Sequence, residues 1–144
     1  MTGVFEVNSV EETWALARQF AAELKSGDVV CLEGDLGAGK TTFTQGLAAA
    51  LGVAGRVTSP TFCLVQEHRG RVGASRSAFL VHMDLYRLRG EEDVLAIGWE
   101  DYLAEGAILV VEWPERAGSL IPPTAKHVVF THLDGEERRR LAFA

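Results

Sequence analysis

The sequence is poor in cysteine, and its two cysteines, Cys31 and Cys63, form no C-x-x-C pair. The chain therefore lacks the cysteine spacing typical of a redox motif or of a disulfide-stapled scaffold. Both cysteines lie in strand-like sequence. We expect them to be buried thiols of a protein that works in a reducing cytoplasm.

Long apolar runs are also missing, because none approaches the ~18 residues that a membrane span needs. The first residues, Met-Thr-Gly-Val-Phe-Glu, lack the basic and apolar regions of a signal peptide. We therefore expect a cytoplasmic protein without a membrane partner. A net charge of −6 argues against a protein that binds nucleic acid over its whole surface.

The length and composition favour one soluble domain, residues 1–144. Hydrophobic residues make up 47% and charged residues 24% of the 144 residues, which is ordinary globular composition. There are no internal repeats and no low-complexity segments. We expect a single domain without a separate lid, monomeric when free.

The most informative motif in the sequence is a glycine-rich stretch. Residues 34–41 read Gly-Asp-Leu-Gly-Ala-Gly-Lys-Thr, an unbroken match to G-x-x-x-x-G-K-[ST] between a strand-like run and a helical pattern. Glycines let consecutive N–H groups point at an anion, and the following helix adds its free N–H groups and positive dipole end. Lys40 would contact the β- and γ-phosphates, and the Thr41 hydroxyl would contact Mg²⁺.

This loop predicts a nucleoside triphosphate site. The alternative is a helix-entry turn that contains Gly-Lys-Thr by chance. The predicted nucleotide-binding residues of the loop are Asp35, Leu36, Gly37, Ala38, Gly39, Lys40, Thr41 and Thr42.

The order of the remaining patterns predicts an α/β fold of the P-loop NTPase-like kind. We expect a three-layer sandwich around a mostly parallel central sheet, with antiparallel additions and a C-terminal hairpin. Ser9 and Glu12 form a capping-box pattern at the start of the first helix. The predicted helices cover residues 10–24, 42–51, 91–97 and 99–104, and the predicted strands 28–33, 63–67, 78–81, 107–111, 126–133 and 138–143.

Two apolar runs end at a carboxylate, one at Asp84 and one at Glu112. Buried parallel strands open at their carboxyl ends onto the ligand crevice, where phosphoryl transfer needs an acid to help hold Mg²⁺. Glu112 follows the cleaner apolar run, so we assign it to the magnesium shell. Asp84 receives a second role, such as positioning water or holding the metal through water, and His82 suggests that its strand is less uniformly buried. Trp113 either packs in the core or covers the nucleotide site.

Three further segments allow two interpretations each. Residues 58–62, Thr-Ser-Pro-Thr-Phe, are either a nucleotide-sensing switch loop or an ordinary turn. Residues 69–77 read as a hairpin loop whose three arginines are either solvated or face a phosphate or an acidic partner. Residues 91–105 carry six acidic residues and no Lys or Arg, which favours a solvated face over a protein-docking surface.

The sequence also bears on the nucleotide and on the class of activity. Guanine-specific switches use an Asn-Lys-x-Asp motif, and the single asparagine is Asn8, so ATP is the default nucleotide. A small-molecule kinase would need a substrate pocket and a closing lid, for which residues 69–77 are the lid candidate. An ATPase that drives a partner, a small-molecule kinase and a nucleotide-gated binding module without turnover all stay open.

Four motifs in this order resemble those of the TsaE family, formerly YjeE, of bacterial ATPases in tRNA threonylcarbamoyladenosine (t6A) biosynthesis. They are Gly-Asp-Leu-Gly-Ala-Gly-Lys-Thr-Thr at 34–42, Thr-Ser-Pro-Thr-Phe at 58–62, His-Met-Asp-Leu-Tyr-Arg-Leu at 82–88 and Val-Glu-Trp-Pro-Glu at 111–115. The resemblance runs from about Thr13 to the last hairpin. It implies a P-loop α/β sandwich that binds ATP and Mg²⁺.

The resemblance also implies roles and partners. Lys40 would bind phosphates, Thr41 and Glu112 would serve Mg²⁺, Asp84 and Trp113 would act near the nucleotide, and Thr13 would lie near the adenine. The partners would be TsaD and TsaB, which transfer the threonylcarbamoyl group to adenosine 37 of tRNA. The chain would meet tRNA only indirectly, and would use ATP to reset the TsaB–TsaD complex between turnovers.

Overall fold

A computed structural model of the chain describes residues 1–35, 37–54, 57, 64–72 and 76–144. Its strands are β1 (Gly3–Val7), β2 (Val29–Glu33), β3 (Val65–Val72), β4 (Arg76–Asp84), β5 (Ile108–Glu112), β6 (Lys126–His132) and β7 (Arg139–Phe143). Its helices are α1 (Val10–Ala21), α2 (Lys40–Ala50), α3 (Glu91–Ala96) and α4 (Trp99–Ala104), followed by a 3-10 helical stretch, Pro114–Leu120.

The strands form one seven-stranded sheet in the order β1-β7-β6-β2-β5-β4-β3. The central strands β6, β2, β5 and β4 run parallel to one another. Antiparallel pairs extend the sheet at both sides, with β3 on β4 and with β7 and β1 beyond β6. This confirms the predicted mostly parallel core with antiparallel additions and a C-terminal hairpin.

Alternation along the buried strands separates the core into two layers. Val30 and Leu32 of β2 pack with α1 and α2 on one face of the sheet. Val29 and Cys31 point to the other face, where α3, α4 and the 3-10 stretch pack. Strands that are covered on both faces read as continuous apolar runs. The three-layer α/β prediction is therefore confirmed.

The start of α1 shows how local sequence sets an element. The Ser9 hydroxyl accepts from the Glu12 amide at 3.2 Å, and the Glu12 carboxylate reaches back to the Asn8 amide at 3.1 Å. These bonds satisfy N–H groups that a helix start leaves free. Within α1, Phe20 is buried in the core, whereas Trp14 is 40% exposed and borders a groove.

Several predicted boundaries were wrong. No sequence pattern predicted β1, which pairs with β7 at the opposite end of the chain. The predicted loop 69–77 is mostly strand, because β3 and β4 continue into it from both sides. His82 does not make β4 less buried at its end, since both His82 and Met83 are fully buried.

Candidate nucleotide site

The carboxyl ends of three central strands meet where the glycine loop leaves the sheet. β2 ends at Glu33, β4 at Asp84 and β5 at Glu112. Asp84 lies opposite Glu112 in the register of β4 with β5, and Leu32 lies opposite Glu112 in the register of β2 with β5. The two strand-end acids that the sequence singled out are therefore neighbours: Glu112 ends the strand beside the one that feeds the loop, and Asp84 ends the next strand along the sheet.

The loop follows a path that only glycine can take at its first position. Gly34 has φ +151°, and a Cβ built on it would lie 2.7 Å from the backbone oxygen and 2.9 Å from the Cβ of Phe130 in β6. Both contacts are with rigid parts of the neighbouring strand, so no side chain can be accommodated there. The packing of the loop on β6 thus explains the first glycine of the motif.

The helix begins directly after the last glycine. Gly39 has φ +107° and precedes Lys40, the first residue of α2. The first amides of α2 have no partner within the helix, so they and the positive end of the helix dipole are available to an anion. Thr41 and Thr42, in this first turn, border the cavity in front of the loop.

The Lys40 side chain lies between the loop and β5. Its Nζ donates a hydrogen bond of 2.6 Å to the backbone oxygen of Gly34 and lies 3.6 Å from Oε1 of Glu112. The side chain is only 12% exposed, so its charge is held inside the site rather than in solvent. A cation in this position is placed to contact phosphate oxygens bound over the loop.

Glu112 is buried and hydrogen-bonded on its other oxygen. Its Oε2 lies 2.7 Å from Nε2 of His82, which is fully buried in β4. Burial alone would raise the pKa of Glu112, but the hydrogen bond that its carboxylate accepts from His82, together with the charge of Lys40, holds its pKa below the usual value. Glu112 is therefore a carboxylate at neutral pH, as a magnesium ligand must be.

A cavity of about 580 Å³ opens in front of these groups. Its polar lining comes from the loop, the start of α2, both strand-end acids and Arg139. A second cavity, of about 550 Å³, lies between α1, α2 and the sheet, and its described lining is mainly apolar and carries no carboxylate. The first cavity combines anion-binding amides with cation-binding oxygens, as a magnesium–nucleotide site requires.

An aromatic pair stands at the mouth of this cavity. The rings of Tyr86 and Trp113 lie 4.8 Å apart, and the two side chains are 55% and 39% exposed. Trp113 has φ +59°, a left-handed conformation that costs a non-glycine residue about 1–2 kcal/mol. Trp113 is therefore not packed in the core but borders the cavity in front of the glycine loop. The Asp84 carboxylate accepts from the Tyr86 amide at 3.0 Å and so shapes the same turn.

Two predicted site residues lie away from the cavity lining. Thr13 is buried in α1, with its hydroxyl 3.3 Å from the backbone oxygen of Ser9. Ala38 is buried in the core, and its amide donates to the backbone oxygen of Asp35 inside the loop. Leu36 and the predicted switch loop 58–62 lie outside the described residues. The nucleotide-binding roles of these residues stay predictions.

The structure adds three residues that sequence reasoning did not assign to the site. His82 holds the Glu112 carboxylate, while Tyr86 and Arg139 line the cavity. His82 carried a usable signal, because it is a polar residue inside an apolar strand, two positions before Asp84 and hence on the same face. Arg139 carried none, since only the pairing of β7 with β6 brings it near the loop.

The donor set fits a magnesium ion that phosphates and water complete. Mg²⁺ prefers oxygen ligands and is usually held by one or two carboxylates together with substrate phosphates. Thr41 and Glu112 provide a hydroxyl and a carboxylate, and Asp84 adds a further carboxylate on the cavity wall. Among the described residues there is no group of three or more His, Cys, Asp or Glu side chains that could hold a metal ion by itself. The site therefore fits a metal that arrives with a nucleotide.

The sheet order, the glycine loop between β2 and α2, and the strand-end acids define a P-loop NTPase-like α/β protein. Comparison with a solved structure supports this class. The crystal structure of Bacillus subtilis YdiB matches with a TM-score of 0.76 and 32% sequence identity, covering 100% of this chain and 86% of that one.

Comparison with protein families is more specific. The family model described as "Threonylcarbamoyl adenosine biosynthesis protein TsaE" matches residues 7–141. The tRNA threonylcarbamoyladenosine biosynthesis protein TsaE of Bacillus subtilis is 40% identical over 133 residues, 92% of this chain and 79% of that protein. The protein of the same name from Aquifex aeolicus is 45% identical over 112 residues, 76% of this chain and 75% of that protein. The chain belongs to the TsaE family, which confirms the resemblance seen in its motifs.

No helix in the described part of the chain is both long enough and apolar enough to cross a membrane.

Proposed function

We propose that this chain is an ATPase of tRNA t6A37 modification, which binds and hydrolyses ATP–Mg²⁺ to reset the TsaB–TsaD threonylcarbamoyl-transfer complex. One observation carries the ATPase part of the proposal: Lys40 and Glu112 meet 3.6 Å apart beside a glycine loop that opens onto the cavity. The family's part in t6A biosynthesis supports the rest. ATP is the proposed nucleotide because the guanine-recognition motif is absent from the sequence.

The residues of the site have separate tasks in this proposal. The loop amides and the start of α2 bind the phosphates, and Lys40 exchanges its hydrogen bond to Gly34 for phosphate oxygens. Thr41 and Glu112 would hold Mg²⁺, which when bound neutralises charge on the phosphates. The half-buried Asp84 carboxylate lies on the cavity wall, where it can accept a hydrogen bond from the water that attacks the γ-phosphorus.

Among the described residues, the aromatic pair covers one side of the site. Tyr86 and Trp113 remain substantially exposed, so the described part of the chain leaves the cavity open to solvent. Phosphoryl transfer benefits when closure excludes water. We therefore expect slow hydrolysis by the isolated chain and faster hydrolysis when TsaB and TsaD are present.

The test is phosphate release from ATP by the purified chain, alone and with TsaB and TsaD, with Lys40→Ala as the blank. Weak activity that rises with the partners supports a partner-coupled ATPase. ATP consumption that does not change when TsaB and TsaD are added, but rises with a metabolite that becomes phosphorylated, would point to a small-molecule kinase. Tight nucleotide binding without hydrolysis in any combination would point to a nucleotide-gated binding module.

A further inference from the structure

We propose that His82 is a positioning residue for Glu112: its Nε2–H holds one carboxylate oxygen, so that the other faces Lys40 and the cavity. The proposal rests on the ATP–Mg²⁺ function above and extends it to a residue that does not line the nucleotide cavity. His82 acts through Glu112 and would touch neither metal nor nucleotide.

The proposal rests on the different contacts of the two carboxylate oxygens of Glu112. Oε2 lies 2.7 Å from His82 Nε2, and Oε1 lies 3.6 Å from Lys40 Nζ. A glutamate carboxylate rotates easily about its last torsion, because that torsion has broad minima. Since His82 is fully buried and Glu112 nearly so, water does not compete for the bond to Oε2. Among the described residues, the bond to His82 is thus the one hydrogen bond to this carboxylate, and together with the ion pair to Lys40 it fixes the plane of the group.

The surroundings of His82 determine which ring nitrogen carries the hydrogen. The ionised Glu112 carboxylate can only accept, so Nε2 must donate. Nδ1 is buried and has no hydrogen-bond partner in the part of the chain that the structure describes. A hydrogen on Nδ1 would leave a buried donor unsatisfied, which costs more than a bare acceptor. Of the two neutral tautomers, the geometry therefore selects the one with its hydrogen on Nε2.

Since the described residues offer Nδ1 no hydrogen bond, packing within the sheet holds the ring in place. His82 lies in the middle of the β3–β4–β5 segment, opposite Gln66 on β3 and Val110 on β5. A rigid donor on a central strand gives the carboxylate one orientation, whereas a donor on a mobile loop would allow several. Outer residues of this kind typically alter metal affinity or activity by about 10–100-fold when they are replaced.

Substitution of His82 by glutamine or by asparagine distinguishes a positioning role from a merely structural one. The amide nitrogen of His82→Gln reaches about as far from the backbone as Nε2 does, whereas that of His82→Asn reaches only as far as Nδ1. Both variants place a polar amide in the same buried position, so their packing costs are similar. Met83→Leu, on the same strand but pointing to the opposite core, serves as a matched control for general loss of stability.

Two quantities are measured for each variant: binding of a fluorescent ATP analogue without metal, and the Mg²⁺ concentration that half-saturates ATP hydrolysis. For His82→Asn we expect nearly unchanged metal-free binding, a fall in kcat and a rise of about 10-fold in half-saturating Mg²⁺. His82→Gln should restore most of the kcat and most of the Mg²⁺ affinity, and Met83→Leu should change neither of these quantities. Equal half-saturating Mg²⁺ in wild type and His82→Asn would overturn the proposal, as would equal losses in the Asn and Gln variants.

A measurement on the unmodified chain does not depend on the variants folding. Nitrogen-15 NMR of the four histidines distinguishes the two tautomers, and single substitutions of His68, His127 and His132 assign the remaining signal to His82. We expect hydrogen on Nε2 and a bare Nδ1; hydrogen on Nδ1 alone would overturn the proposal. If the wild-type chain hydrolyses no ATP with its partners, the proposed function fails, while this spectrum and Mg²⁺-dependent nucleotide binding still test His82.

Discussion

The contact between the first loop glycine and β6 predicts that Gly34→Ala disturbs the chain much more than Gly37→Ala. An alanine Cβ at position 34 would lie 2.7 Å from the backbone oxygen of Phe130, whereas at position 37 nothing lies within 4 Å. Both glycines have positive φ, +151° and +79°, so both substitutions carry backbone strain of about 1–3 kcal/mol. Only Gly34→Ala adds overpacking, which costs a further ~1–3 kcal/mol.

The expected loss of stability is therefore about 2–6 kcal/mol for Gly34→Ala and about 1–3 kcal/mol for Gly37→Ala. Thermal unfolding without nucleotide measures this difference, because a bound ligand would add its own contribution. At about 2–4 °C per kcal/mol for a chain of this size, Gly34→Ala should melt roughly 5–20 °C below wild type. Equal melting temperatures for the two variants would show that Phe130 does not constrain the loop, and would refute the reasoning.

Three further predictions concern the charged and phenolic groups. Lys40→Ala should weaken ATP binding by about 10–150-fold, because a charge-assisted hydrogen bond of about 1.5–3 kcal/mol is lost. Titration with a fluorescent ATP analogue measures the affinity. An unchanged affinity would exclude Lys40 from phosphate binding. Glu112→Gln should keep metal-free nucleotide binding but lower Mg²⁺-dependent hydrolysis by at least about 100-fold in a phosphate-release assay. Unchanged hydrolysis would transfer the metal role to Asp84. The hydrogen bond from Tyr102 to Glu67 raises the pKa of Tyr102 to about 12. The pKa of Tyr102 in the folded chain therefore lies above its value of about 10 in the unfolded chain. The stability that this bond contributes is present below about pH 10 and is lost between about pH 10 and 12. Urea unfolding at several pH values should show this loss in wild type and not in Tyr102→Phe; equal losses in both would contradict it.

Patterns that depend on neighbouring residues were sufficient to predict much of the fold. The Ser9–Glu12 cap, the apolar run of β5 and the glycine loop each act through contacts within a few residues, so they can be recognised without tertiary information. The placement of Asp84 beside Glu112 also followed, because carboxyl ends of parallel strands meet at one edge of a sheet.

Features that depend on distant contacts could not be predicted in the same way. β1 is a short strand whose partner β7 lies at the other end of the sequence. The arginine-rich stretch suggested a loop, but β3 and β4 extend into it from both sides. Its exposed Arg69 guanidinium lies 3.8 Å from the centre of the Phe79 ring and 3.7 Å from Glu105. His82 suggested lower burial because sequence alone does not show that the Glu112 carboxylate accepts a hydrogen bond from its Nε2.

Some residues of this chain that surround the site could not be predicted for the same reason. Arg139 approaches the loop only through the pairing of β7 with β6, and its guanidinium is held by the backbone oxygens of Glu136 and Arg138 at 2.8 and 3.2 Å. The left-handed backbone of Trp113, which turns its ring toward Tyr86, also has no signature in local sequence. Local chemistry therefore locates the phosphate loop and its acids, and tertiary packing supplies the groups around them.

The central claim is that ATP hydrolysis by this chain resets the TsaB–TsaD complex. The most direct test counts the t6A37 residues formed per TsaB–TsaD complex, with excess tRNA and threonylcarbamoyl donor, in the presence of ATP and either wild type, Lys40→Ala or Glu112→Gln. The account predicts many modifications per complex with wild type and about one with either variant, since the reset needs both nucleotide binding and hydrolysis. Repeated modification with either variant, or without this chain, would contradict it.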